Sequence, residues 1–545
     1  MIWWQKITNA TNATTSPTGP NGVMKMRVVT AEEMRKIEEQ AVKKGLSISN
    51  LMERAGKAVA EEAQKMLALK DKGRPVVIVT GKGNNGGDGF VAARNLARKK
   101  LKVTLFLLVP PEEIKGEALA ALKDLKDIPV EKIVLSPKTL TKLERALQEK
   151  PVVVDAIFGF GFRGEIKGLA FDTINRLNEY PGPKLSVDVP SGVEATSGRV
   201  GRIGVKATRT ITFTCPKLGL VVYPGLSYAG EISVADIGIP HNLVERIGRV
   251  ELVEKQEIAR MLPMRPPDVH KKSVGQVLVI AGSLGMTGAA ALTAEGALRS
   301  GAGLVVLGIP ESLNSILEQK LTEVITAPLP ETEEQTLSEK AYPKIMELVP
   351  GFDVLTLGPG LSQNLETTKL VMKLVKNALC PLVLDADGLN AFREDAVILR
   401  ERSAPTVITP HAGELARLLK EDSATIQSDR VKYALEAAKK FEVITVLKGA
   451  RSIVSSPQEA TINTTGNSGL ASAGTGDVLS GIISGFLAQG APPYEAALLG
   501  TYLHGLAGDI AAKELTEYCL IASDLFKYLP QAIKQLKEFK QFKEL

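Results

Sequence analysis

Thr465 to Phe486 read TGNSGLASAGTGDVLSGIISGF, a run of glycines, small hydroxyls and one acid set against an apolar stretch. Val478, Leu479, Ile482, Ile483, Phe486 and Leu487 recur at helical spacing, which predicts a helix beginning close to Asp477. Gly474, Thr475 and Gly476 then stand where unpaired backbone N–H groups and the helix dipole favour an anion. A carboxylate beside a phosphate cradle is electrostatically costly unless it acts on something. Asp477 suits the removal of a proton from a substrate hydroxyl next to that phosphate. The plainer alternative is an Asp that caps a glycine-rich turn; the density of glycines speaks against it.

A second constellation lies upstream. Gly86, Gly87 and Gly89 in the loop TGKGNNGGDG let the backbone approach a ligand closely, as phosphate loops require. Asp155 and Asp188 each follow a short apolar run, where an acid either meets a ligand or caps a turn. Between residues 76 and 240, β-branched runs alternate with helical stretches. Strands are predicted at Val76 to Val79, Val103 to Val109, Val152 to Val154, Leu185 to Val187 and Arg209 to Phe213, with a helix over Phe90 to Lys100. A second series follows at Gln276 to Ile280, Gly303 to Leu307, Val354 to Leu357, Leu382 to Leu384, Thr406 to Ile408 and Ile444 to Leu447. Such strands indicate parallel sheets buried on both faces, with ligands beyond their carboxyl ends. The loop motifs of the two series differ, so the chain reads as two different α/β domains.

The whole chain sets outer bounds. Its 545 residues exceed one ordinary domain. Gly238 to Lys272 carries Pro240, Pro263, Pro266 and Pro267 around a short helical piece at Lys255 to Met261, and is the expected boundary. The formal charge is only +6, and no basic run with interleaved aromatics suggests nucleic acid. Cys215, Cys380 and Cys519 lie far apart, which fits neither a disulfide framework nor a zinc site, and a reducing cytoplasm is expected. No apolar run reaches the length of a membrane span. The opening MIWWQKITNATNATTSPTGPNG lacks the pattern of a signal peptide. Residues 1–23 are expected to be a disordered extension, with Met24 or Met26 starting the fold.

Several motifs together resemble a known family. KGNNGGDG at Lys82 to Gly89, VDAIFGFGFRG at Val154 to Gly164 and SVDVPSG at Ser186 to Gly192 resemble the epimerases of hydrated NAD(P)H. GPGL, HAGE, LKGA and GNSGLASAGTGD resemble the ADP-dependent NAD(P)H-hydrate dehydratases of the ribokinase-like superfamily. Their order resembles the bifunctional bacterial nicotinamide-nucleotide repair family. The resemblance implies a Rossmann-like parallel sheet with flanking helices over 24–245 and a ribokinase-like α/β domain over 250–545. The first would interconvert the R and S hydrates of NADH or NADPH. The second would dehydrate the S form at the expense of ADP, giving AMP and phosphate. Hydroxide is a poor leaving group, so a fold that phosphorylates the hydroxyl suits a dehydration.

The resemblance also implies residues. In the first half, Asn84, Asn85, Gly86, Gly87 and Asp88 would contact the hydrated dinucleotide. Gly159, Phe160, Gly161, Phe162, Arg163, Gly164 and Glu165 would close over its nicotinamide end, and Asp188 would bind substrate and handle protons. Asn85, Asp155 and Ser191 would hold a potassium ion, for which oxygen ligands suit a hard cation. In the second half, Ala290, Gly360, His411, Ala412, Gly413, Glu414, Leu415, Ala416, Arg417 and Asp477 would line the substrate site. Ala412 stands where many members have proline. Lys448, Gly449, Ala450, Arg451 and Ser452 would contact the nucleotide. Asn467, Ser468, Gly469, Leu470, Ala471, Ser472, Ala473, Gly474, Thr475 and Gly476 would hold its phosphates. Asp385 and Asp387 either help hold magnesium through water or order their loop.

The resemblance implies small-molecule partners, the hydrates and magnesium–ADP, and a homo-oligomer, with no nucleic acid and no membrane. Two other functions use the same residues. GTGD is shared across the ribokinase-like superfamily, so a vitamin-precursor kinase fused to a nucleotide-binding module is one. A scaffold that has lost catalysis is the other, because fold alone does not separate enzyme from binding module. The upstream motif set disfavours the first; intact Asn85, Asp155 and Asp188 disfavour the second.

Overall fold

The computed structural model describes residues 7–9, 26–68 and 73–544. The chain divides into two compact units, Met1–Val250 and Glu251–Leu545. Both are α/β with parallel sheets, as the alternation of strand and helix signals predicts.

In the first unit, α1 (Ala31–Lys43) starts at a capping box in which Thr30 accepts from the Glu33 amide and the Glu33 carboxylate accepts from the Thr30 amide. Its strands are β1 (Ile7–Asn9), β2 (Val76–Thr80), β3 (Val103–Leu107), β4 (Glu131–Val134), β5 (Val152–Ala156), β6 (Lys184–Val187), β7 (Arg209–Phe213) and β8 (Glu231–Ala235). They pair in parallel in the order β1-β8-β7-β6-β5-β2-β3-β4. Alternate side chains of one strand enter different cores. Val76 and Ile78 join Val152 and Val154 in one; Val77 and Val79 join Val153 and Phe106 in the other. That period-2 division explains why central strands are apolar without interruption. Strand order reverses at β2, which places the loops after β2 and β5 at a topological switch point.

Two expectations change here. The helix expected from Phe90 begins six residues earlier, as α2 (Asn84–Arg98), so the glycine-rich motif forms its first turns. Ile7–Asn9, inside the expected extension, forms a strand paired with Ile232–Val234. The remaining residues of 1–23 lie outside the described residues.

The second unit contains β9 (Gln276–Ile280), α3 (Thr287–Arg299), β10 (Leu304–Pro310), β11 (Ile325–Leu329), β12 (Val354–Leu357), β13 (Leu382–Leu384), β14 (Thr406–Ile408), α4 (Ala412–Leu419), α5 (Arg430–Phe441), β15 (Ile444–Leu447), β16 (Ile453–Ser455), β17 (Ala460–Ile462), α6 (Thr475–Ala488) and α7 (Pro493–Cys519). The order is β11-β10-β9-β12-β13-β14-β15-β16-β17, parallel as far as β15 and antiparallel beyond. The reversal at β9 opens a second switch point, between β9 and β12. Helix α6 is seated by close approach to α3: a Cβ on Gly481 would stand 2.1 Å from the Thr293 carbonyl oxygen. Only glycine permits that crossing, which aims the amino end of α6 at the carboxyl ends of the strands. Among the described residues, no helix is long and apolar enough to cross a membrane.

Candidate functional sites

In the first unit, four strand ends build the site. Beyond β2 the chain passes through Gly81–Gly83 into α2, whose N-cap, Gly83, is extended and offers no side-chain cap. The first-turn amides of α2 are therefore open to an anion. The glycines within α2 also serve packing, a demand the sequence reading did not include. A Cβ on Gly86 would stand 2.2 Å from the Gly81 oxygen, and one on Gly89 would stand 2.8 Å from both Ala156 and Thr80 side chains.

Asp155 is the penultimate residue of β5 and is fully buried. Its carboxylate accepts from the Ser186 hydroxyl at 2.8 Å, the Ser191 amide at 2.9 Å and the Ser191 hydroxyl. Burial pushes its carboxyl up, and the Ser191 and Ser186 bonds pull part of that back. Ser191 Oγ also accepts from the Phe158 amide at 2.9 Å, and a Cβ on the next residue, Gly159, would stand 3.1 Å from Asn85 Oδ1. The fold thus gathers Asn85, Asp155 and Ser191, which the sequence places far apart. Asn85 Nδ2 is buried without a partner.

Asp188 follows β6 with φ +64, a left-handed conformation unusual outside glycine. Its partner is Lys217, a residue absent from the sequence reading. Lys217 Nζ lies 2.6 Å from Asp188 Oδ1, and both side chains are almost wholly buried. Nζ also donates to Thr212 Oγ1 at 3.1 Å and to the Phe213 carbonyl at 2.9 Å. Glu38, on α1, is the second omission: burial pushes its carboxyl up to about 7, with Lys217 opposing and Asp188 adding. Asp88 is raised further, by burial and then by the charges of Asp188 and Glu38. Over this cluster runs the expected Gly159–Glu165 loop. Its Phe160 ring centroid is 5.9 Å from Lys217 Nζ, and Phe162 packs on Phe158 at 5.2 Å. Gly161, Arg163, Gly164 and Glu165 are exposed. A lysine in TCPKLG, directly after a buried strand, was the available signal for Lys217; nothing in the α1 pattern marked Glu38.

In the second unit, Asp477 lies in the first turn of α6, which starts at Thr475 after Gly474 at φ +87. Burial, and next the Asp385 charge, push the Asp477 carboxyl up to about 6 against the pull of Lys448. Lys448 follows β15. Its Nζ lies 2.6 Å from Asp385 Oδ1 and 3.8 Å from Glu414 Oε2. Burial works against its charge, but Asp385 and Glu414 outweigh that and hold it above the usual lysine range. A Cβ on Gly476 would stand 3.3 Å from Lys448 Nζ, so the ammonium borders the cradle. Asp385 also accepts from Ser480 on α6. Asp387 is engaged otherwise: it accepts from the Ser362 amide at 2.9 Å and Asn390 Nδ2 at 3.1 Å, and orders its loop.

Asn467 opens a short turn over Ser468–Leu470, and its Nδ2 donates to Asp509 Oδ1 at 3.0 Å while the Gly466 amide donates to Asp509 Oδ2 at 2.9 Å. Thr475 Oγ1 closes the loop onto the Leu470 and Ser472 carbonyls, both at 2.9 Å. His504 Nε2 meets the Thr475 carbonyl at 2.9 Å, and burial drives its pKa down to about 4, so it is neutral. Gly360 has φ +65 and sits so near Met286 that a Cβ would stand 2.8 Å from that residue's Cβ. His411 is the N-cap of α4. Its Nδ1 accepts from the Gly413 and Glu414 amides at 3.0 and 3.2 Å, which leaves the exposed Nε2 edge toward Glu414 Oε1 at 3.4 Å. Arg417 reaches Asn390 Oδ1 at 2.9 Å. Ala290, Ala412, Leu415 and Ala416 are buried, and Ala290 supports Gly282 from behind.

The profile of the NAD(P)H-hydrate dehydratase family matches residues 277–531, and that of the YjeF-related protein N-terminus matches residues 48–219. The bifunctional NAD(P)H-hydrate repair enzyme Nnr of Moorella thermoacetica is 42% identical over 518 residues, 94% of this chain and 98% of that protein. Its namesake from Thermofilum pendens is 36% identical over 94% of this chain and 97% of that protein. Among solved structures, the ADP/ATP-dependent NAD(P)H-hydrate dehydratase of Bacillus subtilis, co-crystallised with ATP/Mg2+, is 30% identical. It covers 52% of this chain and 98% of its own, with a TM-score of 0.45.

Proposed function

Because this chain belongs to the bifunctional NAD(P)H-hydrate repair enzymes, we propose that its two strand-end clusters divide the chemistry between them. The protein is an enzyme with an epimerase domain and a nucleotide-dependent dehydratase domain. The Asp188–Lys217 centre carries epimerisation, and Asp477 at the amino end of α6 carries dehydration with ADP.

For dehydration, the substrate hydroxyl must lose its proton as its oxygen takes the β-phosphoryl group of ADP. Phosphate then leaves with the carbon–oxygen bond, the neighbouring carbon gives up a proton, and the ring double bond returns beside AMP. Asp477, with a carboxyl near 6, is ionised at neutral pH and still basic enough to accept the hydroxyl proton. The Gly474–Gly476 turn and the α6 dipole meet the charge on the phosphoryl group, and Lys448 borders the same space. Magnesium, when bound, supplies charge neutralisation to the phosphates. Asp385 is buried on Lys448 and Ser480, and Asp387 is held by Ser362 and Asn390, so either acid would reach the ion only through water. The convergence of Asp477, Lys448 and Asp385 on one helix start is the observation that carries this reading.

For epimerisation, inversion at the hydroxyl-bearing carbon needs a proton delivered to the departing oxygen and one taken from the incoming water. The ring nitrogen lone pair supplies electrons to the carbon between those events. Lys217 and Asp188, 2.6 Å apart, form a donor–acceptor pair for the two transfers. Asn85, Asp155 and Ser191 bring side-chain oxygens together after neighbouring strand ends, the ligand type that suits potassium, and the Asn85 oxygen would turn toward the ion. Potassium, when bound, supplies a fixed positive charge beside Asp155. The setting is a reducing cytoplasm, in keeping with three free cysteines.

The test is incubation with mixed NADH-hydrate epimers, ADP and magnesium, followed by absorbance and chromatography. Full recovery of NADH from both epimers is expected. Recovery from the S form alone removes the first-half assignment; no recovery with ADP removes the second.

A further inference from the structure

Arg430 opens α5, and its guanidinium is spent entirely on main-chain carbonyls. Nη2 donates to the Leu447 and Lys448 oxygens at 3.1 and 3.2 Å. Nη1 donates to the Arg451 oxygen at 3.3 Å and to that of Ala450. Nε is buried without a partner, and among the described residues no carboxylate pairs with the charge. Four carbonyl dipoles therefore converge on one cation, and without it they would repel one another. The turn is shaped around that cation. Gly449 adopts φ +143, a Cβ there would stand 2.8 Å from Nη2, and Arg451 adopts φ +58. Ser452 Oγ closes the turn onto the Gly449 oxygen at 3.0 Å.

We propose that Arg430 is a positioning residue for the nucleotide: it collects the carbonyls of residues 447–451 on one side, which frees the other side of the turn to receive ADP. This rests on the reading of the second unit as a nucleotide-dependent dehydratase. Arginine is required because a planar fork with several donors spans four oxygens, whereas the single ammonium of lysine does not.

The experiment uses the full chain with Arg430→Ala, Arg430→Lys and Arg430→Gln. ADP affinity is read by calorimetry, and KM and kcat are read separately for ADP and for the S hydrate. Loss of the hydrogen bonds is expected to raise the KM and Kd for ADP about tenfold or more, with hydrate KM little changed. Arg430→Lys should remain impaired, and millimolar methylguanidine should partly restore Arg430→Ala. A cooperative thermal unfolding transition, with a near-parental kcat for the S hydrate at saturating ADP, reports that the second unit of each variant is folded; if Arg430→Ala fails that check, the Lys and Gln variants decide. Unchanged ADP affinity, or an equal loss for ADP and hydrate, overturns the proposal, as does full rescue by lysine. A parent enzyme that does not use ADP would instead overturn the reading on which the proposal rests.

Discussion

Replacing Asp477 by Asn should separate catalysis from stability. The carboxyl rises from an ordinary 3.8 to about 6, chiefly through burial and the nearby Asp385. Its ionised form is thus disfavoured in the folded protein. At ~1.4 kcal/mol per pH unit, the rise corresponds to at most about 3 kcal/mol. Water reaching this half-buried side chain trims that to roughly 1–2 kcal/mol. The sign follows from the direction. Above pH 6 the folded state bears the full penalty of an ionised Asp477. Between pH 6 and pH 4 the penalty fades, and below pH 4 both states are neutral. Asp477→Asn should therefore stabilise the second unit at pH 8, with a gain that vanishes near pH 4. The same change should slow dehydration of the S hydrate about 100-fold or more, the usual cost of a lost general base. Epimerisation should be untouched. Calorimetry across pH checks the first part, with the second unit's transition identified by its shift on adding ADP; NADH recovery checks the rest. A variant that is less stable at pH 8, or that turns over at the parental rate, refutes the role argued for this carboxylate.

Lys217→Met should stop R-to-S conversion and cost the first unit about 3–5 kcal/mol, because it leaves Asp188 buried and unpaired. The double change with Asp188→Asn should recover most of that stability and none of the activity, as measured by denaturant unfolding and chiral chromatography. Residues 24–245 and 250–545, expressed apart, should each perform their own reaction; two folded but inactive fragments would show that the reactions depend on one chain. Replacing potassium by a much larger organic cation should slow epimerisation and leave dehydration unchanged; equal effects on both rates would dissociate Asn85, Asp155 and Ser191 from a cation.

Periodicity along the chain was enough to place several strands to the residue, among them Gln276–Ile280, Val354–Leu357 and Ile444–Leu447, because a strand buried on both faces must be apolar without a break. The same logic missed Glu131–Val134, whose sequence EKIV sits on an exposed sheet edge and has no such constraint. Asp477 was legible for a local reason: the glycines, the acid and the helix start that define its role are neighbours in sequence. Asp155 and Asp188 were visible as strand-end acids, but what each one meets depends on residues tens of positions away. Tertiary structure alone brings Lys217 to Asp188, Glu38 on α1 toward both, and Arg430 onto the carbonyls of a turn it precedes by seventeen or more residues. It also gives Gly86 and Gly89 a role in helix packing, since only the folded backbone shows what a Cβ at those positions would strike. Local pattern reports which face of an element must be buried. The partner of a buried charge is set by where the sheet order brings distant strand ends together, and that information is carried by no single stretch of sequence.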